Sequence, residues 1–404
     1  MIYDPISVDS IGFALIASSL VLCAWGRRSR KYFLPALGLA SAFMALTWLQ
    51  PADLLALAAF LIPPYLLIRS RWGAEPDQGQ SPVVVLLVWQ VGLFILLRGY
   101  GPADIEHWIS HPVSVIGLSY ILFRQIHMVV DAPDSGDLPL TPLHYWGYLA
   151  AFWTFLAGPI QRYEDFCDGL TEIGRPDTAE QLAAGHRIAN GLILGFLIAP
   201  LFLPTQNLAL LREDGADWLD FLIVFYSFPI YLYLNFTGYT DVMIGISRLC
   251  GMTTMPENFN RPFLGRNIQD FWARWHISLS TWIGHYVFNP LNATIMRRVD
   301  PAWHKLAMVG VLYITFFVVG MWHGTTLNFF IFGLAHATGV LVNVGYGAMM
   351  TRWLGRDRRK AVLAHPVMRW IAIFLCINYI CITMFVVNYD LTDLYQTMRL
   401  FFGI

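Results

Sequence analysis

Long apolar runs separated by short polar punctuation recur from one end of the chain to the other. The first, Ile11 to Trp25, is followed by four cations, Arg27, Arg28, Arg30 and Lys31. A cleaved leader carries its positive charge before the apolar stretch, so this segment reads as a first span. Leu34 to Leu49, Leu54 to Ile68 and Val83 to Leu97 continue the series, with Arg69 and Arg71 closing the third. Cytoplasmic loops carry the excess of Arg and Lys. The basic loops at 27 to 31, 69 to 71 and 352 to 360 are therefore expected inside. The N-terminus, the acidic stretch Gly101 to His111 and the C-terminal Asn388 to Ile404 are expected outside.

Further candidate spans are Val113 to Val130, Tyr145 to Ile160, Ile188 to Phe202, Phe221 to Asn235, Leu306 to Met321, Leu327 to Val344 and Met368 to Val387. Several fall short of the ~20 residues that a perpendicular helix needs. Short or interrupted segments survive at membrane depth only when buried in protein or lining a cavity, so the shortfall argues for an internal chamber. The expected fold is an all-α polytopic membrane protein, one membrane domain over residues 1–404. About 10–12 transmembrane or re-entrant helices would enclose that chamber.

Composition agrees: 56% of the residues are hydrophobic and only 13% charged, with no soluble-looking block between the apolar runs. A net charge of -1 offers no basic domain for nucleic acid. Five cysteines without C-x-x-C spacing indicate neither a disulfide framework nor a metal site.

The polar centre of the chain carries the candidate chemistry. Asn235-Phe-Thr-Gly-Tyr-Thr-Asp241 follows an apolar run and reads as a turn, in which Asp241 holds the backbone or pairs with an arginine such as Arg274. Glu257-Asn-Phe-Asn-Arg-Pro262 reads as a second turn. An amphipathic helix is expected from Asn267 onward, pairing Asp270 with Arg274, placing His276 one turn from Ser280, and turning Trp272, Trp275 and Trp282 to the interface. A second histidine follows 47 residues after His276, in Gly320-Met-Trp-His323-Gly324. Ionisable side chains among membrane-spanning segments cost several kcal/mol and are kept mainly where they work. The bland alternative is a core histidine bonded to a carbonyl. A proton relay in a transporter or flippase would also use such residues, and formation of a new covalent bond separates an enzyme from that class.

The ordered motifs Phe236-Thr-Gly-Tyr-Thr-Asp241, Pro256-Glu-Asn-Phe-Asn-Arg-Pro-Phe263, Phe271-Trp-Ala-Arg-Trp-His-Ile-Ser-Leu-Ser280 and Met321-Trp-His-Gly324 resemble the membrane-bound O-acyltransferase family, in its bacterial branch. Gly117-Leu-Ser-Tyr-Ile-Leu-Phe123 and Ala157-Gly-Pro-Ile-Gln-Arg-Tyr163 extend the resemblance to residues 113 to 345. It implies His323 as the principal catalytic residue, with His276 assisting. Asp241, Trp272, Arg274, Trp275, Ser280, Trp322 and Asn328 would line the substrate channel or support the pair. His336 also falls at a family position and is expected to pack. Neutral imidazole is suited to taking a proton from a hydroxyl that attacks a thioester near pH 7. Gly320 and Gly324 would let backbone approach the reacting group.

No bound cofactor is implied. The donor would be a thioester on the phosphopantetheine arm of a cytoplasmic acyl-carrier protein, docking on Ile295, Met296, Arg297 and Arg298. The acyl group would leave through a membrane-anchored extracytoplasmic partner, and the enzyme would be multi-pass in the bilayer of a bacterial cytoplasmic membrane. Two branches compete, one moving D-alanine toward teichoic acids and one acetylating alginate-type polysaccharides. A chain of 404 residues, the 47-residue histidine spacing, and the lack of Gly-Gly-Asn-Arg after Tyr286-Val-Phe-Asn-Pro-Leu-Asn292 favour the first. Asn289-Pro-Leu291 is more acetylase-like.

Overall fold

The computed structural model describes residues 10–27, 30–48, 51–74, 81–97, 117–154 and 158–403. Arg28, Ala157, the stretch Gly101 to His111 and the start of the fifth expected span lie outside them. The described chain is all-α, with a single isolated antiparallel bridge between Phe259 and Trp275. Six of its helical stretches are long and apolar enough to cross a membrane: Leu54–Arg71, Thr178–Phe202, Trp218–Leu249, Pro301–His323, Leu327–Ala364 and Pro366–Asn388. Shorter apolar helices cover Ile16–Gly26, Lys31–Thr47 and Val83–Leu97. The chain divides into two compact units, one of Ile6–Leu192 with Gly238–Pro256, the other of Ile193–Thr237 with Glu257–Ile404.

In the first unit the expected spans form as α1 (Ser10–Gly26), α2 (Arg30–Trp48), α3 (Pro51–Arg71), α4 (Ser81–Leu97) and α5 (Leu118–Asp131). The expected span Tyr145 to Ile160 does not form. A short α6 (Pro142–Leu149) is followed by a 3-10 turn at Phe152–Thr154, and residues 158–162 are non-helical. The run is apolar because it is buried in protein: Leu149 and Trp153 are fully covered and Tyr148 and Phe152 nearly so. Its broken backbone is satisfied by Arg124 of α5, which donates to the carbonyl of Tyr148 at 2.7 Å and to Thr154 Oγ1 at 2.6 Å. A guanidinium has five donors, enough to pair carbonyls that an interrupted helix leaves open. Then come α7 (Tyr163–Glu172) and α8 (Thr178–Leu192), and α9 (Trp218–Leu249) enters this unit at Gly238.

The Asn235 to Asp241 turn is likewise overturned, because α9 runs helical through all of it to Leu249. Asp241 pairs with Arg187 of α8 at 2.7 Å, and Arg274 with Asp270. Polar residues read as a break in isolation, yet Asn235, Thr237, Tyr239 and Thr240 are all buried. Burial in protein removes the reason for the helix to stop there.

The second unit holds the rest of α9, then α10 (Ile268–Trp272), α11 (Ile277–Ile283), α12 (Asn289–Arg298), α13 (His304–His323), α14 (Leu327–Ala364), α15 (Pro366–Asn388) and α16 (Leu391–Phe402). Its core gathers Phe228, Tyr231, Ile268, Phe271, Trp275 and Ile380. α13 and α14 form a tight antiparallel hairpin. A Cβ on Gly320 would come within 2.4 Å of the Phe329 carbonyl, and one on Gly333 within 2.5 Å of the Phe316 carbonyl. Small residues let helix backbones approach in this way. Gly324 is filled from outside by the Phe329 ring. Both glycines of the His323 motif thus stand against α14, Gly320 against its backbone and Gly324 against the Phe329 ring.

Gly320→Leu therefore places a side chain where a backbone carbonyl stands. Overpacking of this kind costs about 1–3 kcal/mol in cores that can yield, and more where backbone must move. The variant is expected to lower the thermal unfolding temperature in detergent together with activity, and unfolding followed by circular dichroism checks it.

Candidate active site

The helix expected from Asn267 through Ser280 starts as predicted and then breaks. Asn267 caps α10, its side chain accepting from the backbone N–H groups of Gln269 and Asp270 at 3.0 Å each. Asp270 accepts from Arg274 at 2.7 Å and from the Arg266 N–H at 3.0 Å. Burial works against the charged carboxylate, but the Arg266 N–H and the Arg274 guanidinium outweigh it and hold Asp270 below its usual range. At His276 the backbone turns left-handed, φ 46° and ψ 53°, and α11 begins afresh. A non-glycine residue there costs roughly 1–2 kcal/mol and persists only when its surroundings hold it.

The holding group is the Glu257 to Pro262 segment. It lies antiparallel to residues 274–277, with the Asn260 N–H donating to the Arg274 carbonyl and the Ile277 N–H to the Asn258 carbonyl, both at 2.9 Å. The clip explains one departure from expectation. Trp275 and Trp282 are buried instead of interfacial, Trp275 stacking on Phe271 at 5.5 Å. Ser280 does stand one turn from His276, its N–H donating to the His276 carbonyl at 3.0 Å, while its hydroxyl donates to the Trp275 carbonyl at 3.3 Å.

Asn258 also fixes the imidazole of His276. Its Oδ1 accepts from the Ser278 N–H at 3.3 Å and from Ser278 Oγ at 2.9 Å, which identifies the atom as oxygen. The same oxygen lies 3.1 Å from His276 Nδ1. An amide oxygen only accepts, so Nδ1 carries the hydrogen and the lone pair of neutral His276 is on Nε2. The ring is buried, with Phe236 edge-on at 4.9 Å.

His336 is locked in the opposite sense. Trp272 Nε1, a donor only, reaches Nδ1 at 3.1 Å. Nε2 therefore bears the hydrogen and donates to Thr383 Oγ1 at 3.0 Å, while the Thr383 hydroxyl donates to the Ile380 carbonyl at 2.8 Å. His336 is fully buried. Both its nitrogens are committed to packing together α10, α14 and α15.

His323 differs from both. As the last residue of α13 it is only partly buried. Its ring lies 4.4 Å from Trp322, stacks parallel to Phe329 at 6.1 Å, and meets Phe332 edge-on at 5.9 Å. Phe332 in turn contacts His336 at 4.2 Å. His323 is near enough to act electrostatically on both His276 and His336. Three histidines are thus gathered in one unit, the accessible one near two whose tautomers are fixed.

The other expected site residues divide. Asn328 donates to the Val386 and Tyr389 carbonyls at 2.8 and 2.6 Å, tying α14 to the end of α15. Asp241 is engaged with Arg187 in the other compact unit. On α12, Arg297 and Arg298 are exposed while Ile295 and Met296 are half-buried. Asn258 and Thr383 were not singled out from sequence. Asn258 falls in a stretch that reads as a turn and as one of the motifs of the family resemblance, with no role of its own implied; Thr383 carries no local signal.

The profile of the membrane-bound O-acyltransferase family matches residues 129–386. The teichoic acid D-alanyltransferase of Streptococcus thermophilus is 27% identical over 369 residues, covering 88% of this chain and 87% of that protein. That of Bacillus subtilis is 33% identical over 249 residues, 57% of this chain and 61% of its own length. The probable alginate O-acetylase AlgI of Azotobacter vinelandii is 30% identical over 279 residues, 67% of this chain but 50% of that protein.

Proposed function

We propose that this chain, which belongs to the membrane-bound O-acyltransferase family, moves a D-alanyl group from a carrier-protein thioester to a hydroxyl on the far side of the membrane. As an O-acyltransferase it needs one group that meets the reacting hydroxyl. The observation that carries the assignment is the partial exposure of His323 near two buried, hydrogen-bonded histidines. His323 takes the hydroxyl proton as the oxygen attacks the thioester carbon. The C–O bond forms, the C–S bond breaks, and the proton passes to the departing thiolate, leaving an ester and a free thiol. His276 assists, oriented by Asn258. Holding both substrates in one place supplies much of the acceleration.

D-alanine is favoured over acetate by the near full-length likeness to a teichoic acid D-alanyltransferase, against alignment with about half of the alginate acetylase. The donor arm comes from the cytoplasm on an acidic carrier, and the acceptor is an envelope polymer or a membrane-anchored extracytoplasmic partner. Arg297 and Arg298, beside Ile295 and Met296, give the carrier a cationic rim around an apolar anchor.

The test uses proteoliposomes supplied with carrier bearing radiolabelled D-alanine or acetate. Protein-dependent loss of the D-alanyl thioester, with label recovered as an ester, is expected. Preferential use of acetyl-carrier would turn the reading to the alginate type, and movement of substrate without a new covalent bond would turn it to a transporter. Arg297→Glu with Arg298→Glu is expected to weaken carrier binding about tenfold or more at low salt and less at high salt. Unchanged affinity across the salt series would place the donor elsewhere.

The proposed orientation puts Arg69 and the 352–360 segment on the cytoplasmic side of a multi-pass protein. Cysteine substituted at Arg69 or Arg356 is expected to react with an impermeant maleimide only after the membrane is opened. Labelling in intact cells would invert the topology.

A further inference from the structure

The chemistry above leaves one built feature unused, the elbow near the end of α14. From Leu327 to Thr351 this helix carries no Asp, Glu, Lys or Arg. At 1.5 Å per residue that stretch spans roughly 37 Å, longer than the ~30 Å hydrocarbon core of a bilayer. Its exposed stripe, Val342, Tyr346, Met349 and Trp353, is 63%, 42%, 39% and 71% accessible. Spacings of four, three and four residues put these side chains on one face. Cations then crowd in: Arg352, Arg356, Arg358, Arg359 and Lys360, against a single Asp357.

The crowding has a defined backbone. Gly355 turns the chain at φ 74° and ψ 168°, a conformation that favours glycine. Arg359 folds back over the preceding helix, where its Nη1 donates to Thr351 Oγ1 at 2.9 Å, and the Thr351 hydroxyl donates to the Gly347 carbonyl at 2.7 Å. A Cβ on Gly347 would come within 3.0 Å of Arg359 Nη2, so the glycine leaves the space in which this strut lies. Arg352, Arg356, Arg358 and Lys360 stay exposed around it.

We propose that this elbow is a binding site for anionic phospholipid headgroups, with Trp353 at the hydrocarbon boundary and the phosphodiester held among Arg352, Arg356, Arg358 and Lys360. Tryptophan favours that boundary. The guanidinium fork matches phosphate oxygens in pairs, and a polybasic segment adjoining a span draws anionic lipid. A lipid fits better than an acidic protein because the apolar stripe runs unbroken from the membrane-spanning part of the helix to Trp353.

The test places the full chain in nanodiscs of phosphatidylcholine mixed with phosphatidylglycerol and counts retained lipids by native mass spectrometry. A preference for phosphatidylglycerol of about tenfold is expected, falling to about twofold or less in the combined variant R352Q/R356Q/R358Q/K360Q. Trp353→Ala should lower retention of both lipids. Helicity and acyl transfer in pure phosphatidylcholine should be unchanged, and the single variants Arg356→Gln and Arg358→Gln read the same loss in smaller steps if the combined variant does not fold. Equal phosphatidylglycerol retention by native and variant proteins overturns the proposal. So does full competition by soluble glycerol phosphate, which would make this a site for free phosphate. Loss of acidic-carrier binding with lipid preference intact would assign the elbow to a protein partner and overturn it as well.

Discussion

His323→Ala is expected to lower acyl transfer by about three orders of magnitude, in line with the 10²–10⁴-fold that a positioned general base contributes. His323→Gln should do no better, since an amide can hydrogen-bond but cannot take a proton near neutral pH. The fold should survive. The His323 ring is partly exposed at the end of α13, beside the rings of Trp322, Phe329 and Phe332, so its removal opens no large cavity in the core. The measurement is label transfer from carrier to acceptor, with protein level and unfolding temperature followed in the same preparations. Near-native transfer by the alanine variant would remove the mechanism. A variant that binds carrier normally yet leaves its thioester intact would support it.

His336→Ala offers the contrast. It would take away the acceptor of Trp272 and the donor to Thr383 in a fully buried place, so stability and activity should fall together.

The spans were legible where apolar residues face a surface. α1 to α4, α13 and α15 follow their expected ranges within a few residues because a run of ~20 apolar residues has few other uses. Hydrophobicity alone does not tell lipid from protein interior. The stretch after Tyr145 is as apolar as a span, yet it is broken backbone packed around Arg124. The polar run from Asn235 to Asp241 erred in the other direction, being helical because its side chains are buried.

The same limit applies to the site. The two histidines were marked by their setting, and the Asp270–Arg274 pair by its one-turn spacing, both local signals. What stops the helix at His276 is a clip to residues 258–260, a pairing across the intervening α10 that helical spacing does not signal. Asn258 and Thr383 act through such pairings, so their roles appear only once the chain is folded.

Asn258 carries the sharpest consequence of that pairing. Asn258→Ala removes the acceptor shared by His276 Nδ1, the Ser278 N–H and Ser278 Oγ. It frees the imidazole to adopt either tautomer, and a buried donor left without a partner costs about 1–3 kcal/mol. A loss of about 10–100-fold in transfer is expected, with some loss of stability, so this variant alone does not separate orientation from folding. Asn258→Asp does. A carboxylate in the same place still accepts from Nδ1–H and from Ser278, but its negative charge beside the ring favours imidazolium.

The sign follows directly. Raising the pKa of His276 means that Nε2 is protonated up to a higher pH, so the acid limb of the rate profile should move upward. Measured across pH, Asn258→Asp is expected to recover much of the native rate on the alkaline side while remaining depressed on the acid side. Asn258→Ala should be depressed throughout. An Asp variant with the native profile merely scaled down would show that Asn258 only holds the backbone turn, and that the tautomer of His276 plays no part in the reaction.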